Sequence, residues 1–212
     1  MQPRVLIFSG GRLGPWALKS IRQDDILIGA DSGALFLIEN GYRPHLAIGD
    51  FDSVTAGQFE LIQSRSRETE ACDPVDKDYT DTELAMIKSL RYQPSEIRFI
   101  GALGTRFDHS IANIHLLVKA HEANIPAVID DAHNEIRLTD SELVIRKAGF
   151  EQVSLLPLTP VVTGVTLKGF QYGLTDAVLQ MGQSLGISNI LLKEEGVITV
   201  KSGMLMVIQS KD

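Results

Sequence analysis

The chain has 212 residues; at roughly 100–200 residues per domain that is one large domain or two small ones. Hydrophobic residues make up 44% and charged residues 22%, which excludes a disordered, collagen-like or coiled-coil protein. Twenty basic against 27 acidic residues give a formal charge of −7, the wrong balance for a polyanion partner, so no nucleic acid is expected. No apolar run approaches the roughly 20 residues of a bilayer span, so no membrane association is expected. The N-terminal MQPRVLIFSGG reads as a first strand, with no small-residue cleavage site after its apolar stretch. Cys72 is the sole cysteine, which rules out an internal disulfide and a cysteine-based zinc site. A soluble, acidic, cytoplasmic protein is expected.

Val5–Phe8, Ile26–Ile28, Leu46–Ile48 and Ile97–Ile100 are short apolar runs, each ending in a glycine-containing turn. Such runs predict strands buried on both faces, as in parallel sheets. Helices are predicted between them: Ala34–Glu39, stopped by Asn40-Gly41; Ala56–Gln63; Thr82–Leu90; and a segment carrying the stripe Ile111, Ile114, Leu117, Val118. Alternating strands and helices predict an open, mainly parallel α/β sheet over residues 1–130. From 131 to 212 the texture changes. Glu135–Leu138, Leu143–Arg146, Val153–Leu156, Val161–Leu167, Ile187–Leu192, Val197–Val200 and Leu205–Ile208 are strand-like, separated by Gly, Pro, Asn, Asp and Ser. Closely spaced short strands predict an all-β, sandwich-like second domain.

Carboxylates concentrate where the predicted strands end. Asp50 and Asp52 flank Phe51 in Gly49-Asp50-Phe51-Asp52-Ser53. In an extended segment they point the same way, about 6–7 Å apart, and can share one hard cation or two neighbouring ones. Asp31 holds the equivalent place one strand earlier, in Gly29-Ala30-Asp31-Ser32-Gly33. Ligands of open α/β sheets bind outside the carboxyl ends of the strands. A third acidic stretch runs from Asp73 to Asp81. Within it, Thr80-x-x-Glu83 fits a capping box and Asp81 suits a first helical turn whatever its function. Asp-x-Asp alone also suits a simple turn. The repeated glycine–aspartate strand ends favour a phosphate-and-metal site.

Ser9-Gly10-Gly11 lets the backbone come close to a phosphate, or is only a tight turn. Neither a Walker A pattern nor a complete G-x-G-x-x-G fingerprint is present. Gly101-Ala102-Leu103-Gly104-Thr105-Arg106-Phe107-Asp108-His109 leads from a strand into a helix. Asp108 is expected as its N-cap. The helix start and Arg106 together suit an anion, and His109 and Asn113 share a helix face.

These pieces together resemble the thiamine pyrophosphokinase family in its bacterial form. The matching motifs are Gly29–Gly33, Gly49–Ser53, Lys77-Asp78-Tyr79-Thr80-Asp81 and Gly104–His109, in family order at family-like spacing. The second half adds Ser154–Leu158, Gly164-Val165, Gly169–Tyr172 and Ser188-Asn189. The resemblance covers nearly the whole chain. One departure is Ile190, where many relatives carry an acidic residue.

The resemblance implies transfer of the pyrophosphoryl group of ATP to the thiamine hydroxyl, giving thiamine diphosphate and AMP. It implies an α/β catalytic domain that binds ATP and Mg²⁺ and a β-sandwich that binds thiamine and dimerises. The homodimer would hold thiamine where two subunits meet. On this reading Asp50, Asp52 and Asp81 bind Mg²⁺, and they act in catalysis with Lys77 and Arg106. Gly10, Gly11, Asp31, Ser32, Gly101, Arg106, Asp108 and His109 line the ATP side, while Thr80, Asp81, Ser188 and Asn189 contact thiamine. Three alternatives stand beside it: a pyrophosphokinase for another small alcohol such as a hydroxymethylpterin, a non-catalytic nucleotide- or thiamine-binding regulator, and a nucleotide-sugar transferase using Asp50-Phe51-Asp52.

Overall fold

The computed structural model describes residues 2–72 and 79–212; Lys77 and Asp78 lie outside the described residues. The chain forms two units, Met1–Ala132 and His133–Asp212.

The first unit carries strands β1 (Arg4–Phe8), β2 (Ile26–Ala30), β3 (Leu46–Gly49), β4 (Thr69–Ala71), β5 (Glu96–Ile100) and β6 (Ala127–Asp130). Its helices are α1 (Ser32–Glu39), α2 (Ala56–Arg65), α3 (Asp81–Ser89) and α4 (Phe107–Glu122). The strands lie in the order β4-β3-β2-β1-β5-β6, and every neighbouring pair is parallel. Val5, Leu6, Ile7 and Phe8 have no exposed surface, as expected of a central strand covered on both faces. The chain runs outward from β1 to β4 and then returns to β5 on the other side of β1. That reversal opens a crevice at the carboxyl ends of β1 and β5, where ligands of such sheets bind.

The second unit holds β7 (Asn134–Thr139), β8 (Glu142–Arg146), β9 (Gln152–Pro157), β10 (Val161–Lys168), β11 (Ala177–Gln180), β12 (Glu195–Thr199) and β13 (Leu205–Ser210). β13 pairs antiparallel with β7 and β9. The other four form an antiparallel sheet in the order β11-β10-β12-β8. Alternate residues of both groups meet in one core: Val153, Leu155, Leu205 and Val207 from the first, and Ile145, Val162, Leu167, Leu179 and Ile198 from the second. This is sandwich packing, with inward residues alternating along each strand.

Four elements differ from expectation. Residues 187–192 are not a strand. Ser188 has a left-handed backbone, φ +57°, and the segment makes only isolated bridges, Val153 to Asn189 and Phe170 to Leu191. Ile187, Ile190 and Leu192 are exposed, while Leu191 is buried in the core. β4, β6 and β11 are additional strands. Thr69-Glu70-Ala71 and Ala177–Gln180 lie at sheet edges with at most one buried residue each, so their sequences lack the apolar run of a central strand.

One buried ion pair ties the start of β1 to the entry of β2. Arg4 donates from Nε to Asp25 Oδ1 at 3.0 Å and from Nη2 to Oδ2 at 2.7 Å. The Arg22 amide also donates to Asp25 Oδ2, at 2.6 Å. Asp25→Ala leaves the Arg4 guanidinium, only 13% exposed, without its counter-charge. Urea unfolding should register a loss of about 3 kcal/mol. Replacing both partners with Arg4→Met and Asp25→Leu should cost clearly less, because no buried charge is then stranded.

Candidate active site

The crevice is a cleft of about 780 Å³. Its walls come from loops after four strands of the first unit: Ser9, Gly10 and Gly11 after β1; Ala30, Asp31 and Ser32 at the end of β2; Asp50, Asp52 and Ser53 after β3; and Gly101 to Arg106 after β5. The segment Tyr79–Thr82 at the start of α3, and His109 and Asn113 of α4, complete it.

Three carboxylates meet in this cleft. Asp31, Asp50 and Asp52 each offer an oxygen within 4.8 Å of the others. The Asp50–Asp52 segment is not extended. Phe51 has φ +57°, and the Asp52 amide donates to Asp50 Oδ1 at 3.3 Å, closing an Asx-type turn. Phe51 is buried among Ala34, Leu35, Ala47 and Ile62, with its ring 4.9 Å from that of Phe59. An aromatic residue held at positive φ costs roughly 1–3 kcal/mol. Burial of its ring offsets that cost and leaves the flanking carboxylates facing the cleft.

Asp31 also has a left-handed backbone, φ +52°. It occupies the N-cap position of α1 yet makes no capping bond. Its Oδ2 accepts from Ser53 Oγ at 2.5 Å. Its Oδ1 is buried and has no hydrogen-bond partner among the described residues. Burial pushes the Asp31 carboxyl above its ordinary range; the Ser53 hydrogen bond and the nearby Ser32 backbone pull the other way, and the charges of Asp81 and Asp52 add to the rise. An orphaned buried oxygen beside two further carboxylates fits a hard divalent cation such as Mg²⁺, which takes oxygen ligands.

Asp81 is the first residue of α3 and lies outside the close trio. It is nonetheless adjacent: a Cβ on Gly49 would sit 3.3 Å from the Asp81 carboxyl carbon. Thr80 caps α3, its Oγ1 accepting from the Glu83 amide at 3.2 Å, while the Glu83 carboxylate pairs with Lys119 of α4. Lys119 also lies 5.7 Å from the Tyr79 ring at the cleft wall.

At the opposite wall, the N-cap of α4 is Arg106, not Asp108. Asp108 lies within the first turn, where its charge suits the helix dipole, and it pairs with Arg106 at 2.6 Å. That pair holds the Asp108 carboxyl below its ordinary range. Both side chains are exposed, 70% and 64%, and solvent and salt screen such pairs strongly. Arg106 and His109 line the cleft; Asp108 is not among its lining residues.

The cleft loops are fastened to one another. Gly11 N donates to Gly101 O at 2.9 Å and Arg12 N to Leu103 O at 3.1 Å. Asn113 Nδ2 donates to Ala102 O at 2.7 Å, and Thr82 Oγ1 donates to Ser9 Oγ at 3.0 Å. Sequence reasoning missed Ser53, Thr82 and Asn113 as parts of the site. Ser53 stood inside a quoted motif, and Asn113 shares the helix face of His109, but their partners lie in other loops.

The residues expected at a thiamine pocket in the second half differ from each other in setting. Ser188 is exposed and its amide donates to Ser154 Oγ at 3.1 Å. Asn189 is buried. Its Oδ1 accepts from Tyr172 N and Ile190 N, at 3.0 and 2.9 Å, and its Nδ2 donates to Tyr172 O at 2.7 Å.

Residues 17–129 match the family profile of the thiamin pyrophosphokinase catalytic domain, and residues 140–205 match that of the thiamin pyrophosphokinase vitamin B1 binding domain. The chain belongs to the thiamin pyrophosphokinase family. It is 34% identical over 187 residues to the thiamine pyrophosphokinase of Bacillus subtilis strain 168, covering 87% of each chain. A crystal structure of thiamine pyrophosphokinase from Bacillus subtilis superposes with a TM-score of 0.91 at 32% identity, covering 99% of each chain. That of the thiamin pyrophosphokinase from Geobacillus thermodenitrificans gives 0.88 at 33% identity, covering 98% of this chain and 97% of the other. As a thiamin pyrophosphokinase the chain is a diphosphotransferase whose substrates are ATP and thiamine. Among the described residues no helix is long and apolar enough to cross a membrane.

Two glycines separate packing from freedom in this unit. A Cβ on Gly11 would stand 2.2 Å from Gly101 O and 2.6 Å from Leu103 O, both backbone atoms. Gly57, in α2, faces nothing within 4 Å. Gly11→Ala should lower the melting temperature and the activity together, because two loops must part. Gly57→Ala should leave activity intact and raise stability by up to about 1 kcal/mol. Calorimetry and turnover on both variants check this.

Proposed function

We propose that the cleft carries the family's transfer through the carboxylates Asp31, Asp50 and Asp52, with Asp81 beside them. The observation that carries the reading is the grouping of Asp31, Asp50 and Asp52 within 4.8 Å, with one Asp31 oxygen buried and unpaired among the described residues, at the sheet's switch point. ATP lies with its phosphates along the loops after β1 and β5, where Gly10, Gly11 and Gly101 admit a close backbone approach, and Ser32 and His109 bound the same side. Asp31, Asp50 and Asp52 would hold Mg²⁺, which would supply charge neutralisation at the phosphates. Asp81, first in α3, orients the thiamine hydroxyl and takes its proton. The hydroxyl oxygen bonds to the β-phosphorus, the bond from that phosphorus to the bridging oxygen of the α-phosphate breaks, and AMP leaves with the electron pair. Positioning and electrostatics do most of the work in such transfers. Arg106 leaves its weak, exposed pairing with Asp108 to grip phosphate with two donors. Lys77, outside the described residues, joins it as a second cation.

Thiamine is held where two copies of the chain meet, in a homodimer built through the β-rich unit. Ser188 contacts it directly and Thr80 bounds its approach. Asn189 fixes the Tyr172 and Ile190 backbone around it. The exposed Tyr172, Leu185, Ile187 and Leu192 supply apolar surface for that contact. A lone cysteine and the absence of a disulfide requirement suit the cytoplasm.

With ATP, Mg²⁺ and thiamine the products should be thiamine diphosphate and AMP in equal amounts, identified by chromatography. Stoichiometric ADP with thiamine monophosphate overturns the reading. Asp50→Asn and Asp52→Asn should each lower kcat by about 100-fold or more while the protein stays folded, in line with roughly 3 kcal/mol per charge-stabilising contact. Near-normal turnover in both at saturating Mg²⁺ makes the pair structural.

Ser188→Ala should raise the KM for thiamine more than that for ATP, since lost acceptor contacts remove binding energy without touching the carboxylates. Asn189→Ala should do the same and also lower the melting temperature, because three hydrogen bonds disappear from a buried side chain. Light scattering under assay conditions should give the mass of a dimer; a fully active monomer rejects the shared pocket.

A further inference from the structure

We propose that Ser53 is a positioning residue for the cation site: its hydroxyl fixes the orientation of the Asp31 carboxylate beside Asp50 and Asp52. The inference rests on the metal reading given above. Asp31 stands at the N-cap of α1, where an aspartate ordinarily bonds to the first-turn amides. Here it makes no capping bond, and the left-handed backbone at φ +52° turns it from that duty. One oxygen goes to Ser53 Oγ at 2.5 Å. The other is buried and unpaired among the described residues, and the carboxylate offers an oxygen within 4.8 Å of those of Asp50 and Asp52.

Three negative groups this close repel one another, and a carboxylate free to rotate turns its oxygens away from the others. Ser53 opposes that rotation. It comes from the loop after β3, the same loop that carries Asp50 and Asp52, so its bond ties Asp31 to the other two. Groups that hydrogen-bond to metal-ligating carboxylates fix their orientation, and losing one lowers metal affinity by roughly 10–100-fold. Ser53 is itself exposed and anchors no core residue, so its removal leaves the fold standing.

The test uses Mn²⁺ as the probe, titrated into the full-length protein and followed by the electron paramagnetic resonance signal of the free ion. Ser53→Ala should bind Mn²⁺ about 10–100-fold more weakly than the wild type. Ser53→Thr, which keeps the hydroxyl, should stay within about threefold. In turnover, the Mg²⁺ concentration for half-maximal rate should rise in Ser53→Ala, while kcat at saturating Mg²⁺ changes little. Equal Mn²⁺ affinity in wild type and Ser53→Ala overturns the role of Ser53 alone, and so does an equal loss in Ser53→Ala and Ser53→Thr. If Asp52→Asn binds Mn²⁺ as well as the wild type, or the wild type binds none, the metal reading falls and this inference with it.

Discussion

The architecture of the first unit is organised around an unfavourable arrangement: three carboxylates brought within 4.8 Å of one another. At an effective dielectric near 20, two unit charges 4 Å apart repel by about 4 kcal/mol. Like charges do not draw one another together. The sheet does so, because each aspartate ends a parallel strand or the loop just beyond it, and neighbouring parallel strands end side by side. Asp31 follows β2 and Asp50 follows β3, which are paired through Ile28, Gly29 and Ala30. Buried backbone hydrogen bonds thus fix the positions the charges would otherwise leave.

The loops that carry these charges are clamped in turn. Phe51 is driven into the apolar cluster beneath α1 and α2, which leaves its two neighbours no choice but the cleft. Across the switch point the loops after β1 and β5 bond backbone to backbone, with glycine where a side chain would not fit. Asn113 and Thr82 add side-chain ties from α4 and α3. A site held by several elements in this way meets the demand that catalytic groups be fixed before substrate arrives.

Much of this was legible in the sequence. The four short apolar runs become β1, β2, β3 and β5 because a strand buried on both faces has no room for polar residues. Edge strands such as Thr69–Ala71 carry no such constraint and left no pattern. The aspartates were visible as a class, but their grouping was not. Spacing suggested an extended Asp50–Asp52 pair; the chain instead turns at Phe51, because burying the ring outweighs the cost of positive φ. Capping logic placed Asp108 at the start of α4, and Arg106 takes that position instead. Ser53 could not be singled out, since its partner is 22 residues away and only the pairing of β2 with β3 brings them together. The segment 187–192 is apolar enough for a strand. Ile187, Ile190 and Leu192 are exposed while only Leu191 enters the core, and the buried Asn189 amide holds the backbone in a loop.

Two ion pairs show how solvent divides structure from function in this unit. Arg4 and Asp25 are shielded, share two hydrogen bonds, and join the start of β1 to the entry of β2. Separating them strands a charge, so the pair is fixed. Arg106 and Asp108 have comparable geometry but stand in water at the cleft, where screening reduces the attraction to little. On the proposed reading, an incoming phosphate takes a guanidinium so lightly held without breaking anything the fold needs. On that reading, the cation of Arg106 and the carboxylates of Asp31, Asp50 and Asp52 then serve one site by one principle. Groups kept for structure are buried with their partners, and groups kept for ligands are either left in water with a replaceable partner or, like Asp31, buried with one oxygen unspent.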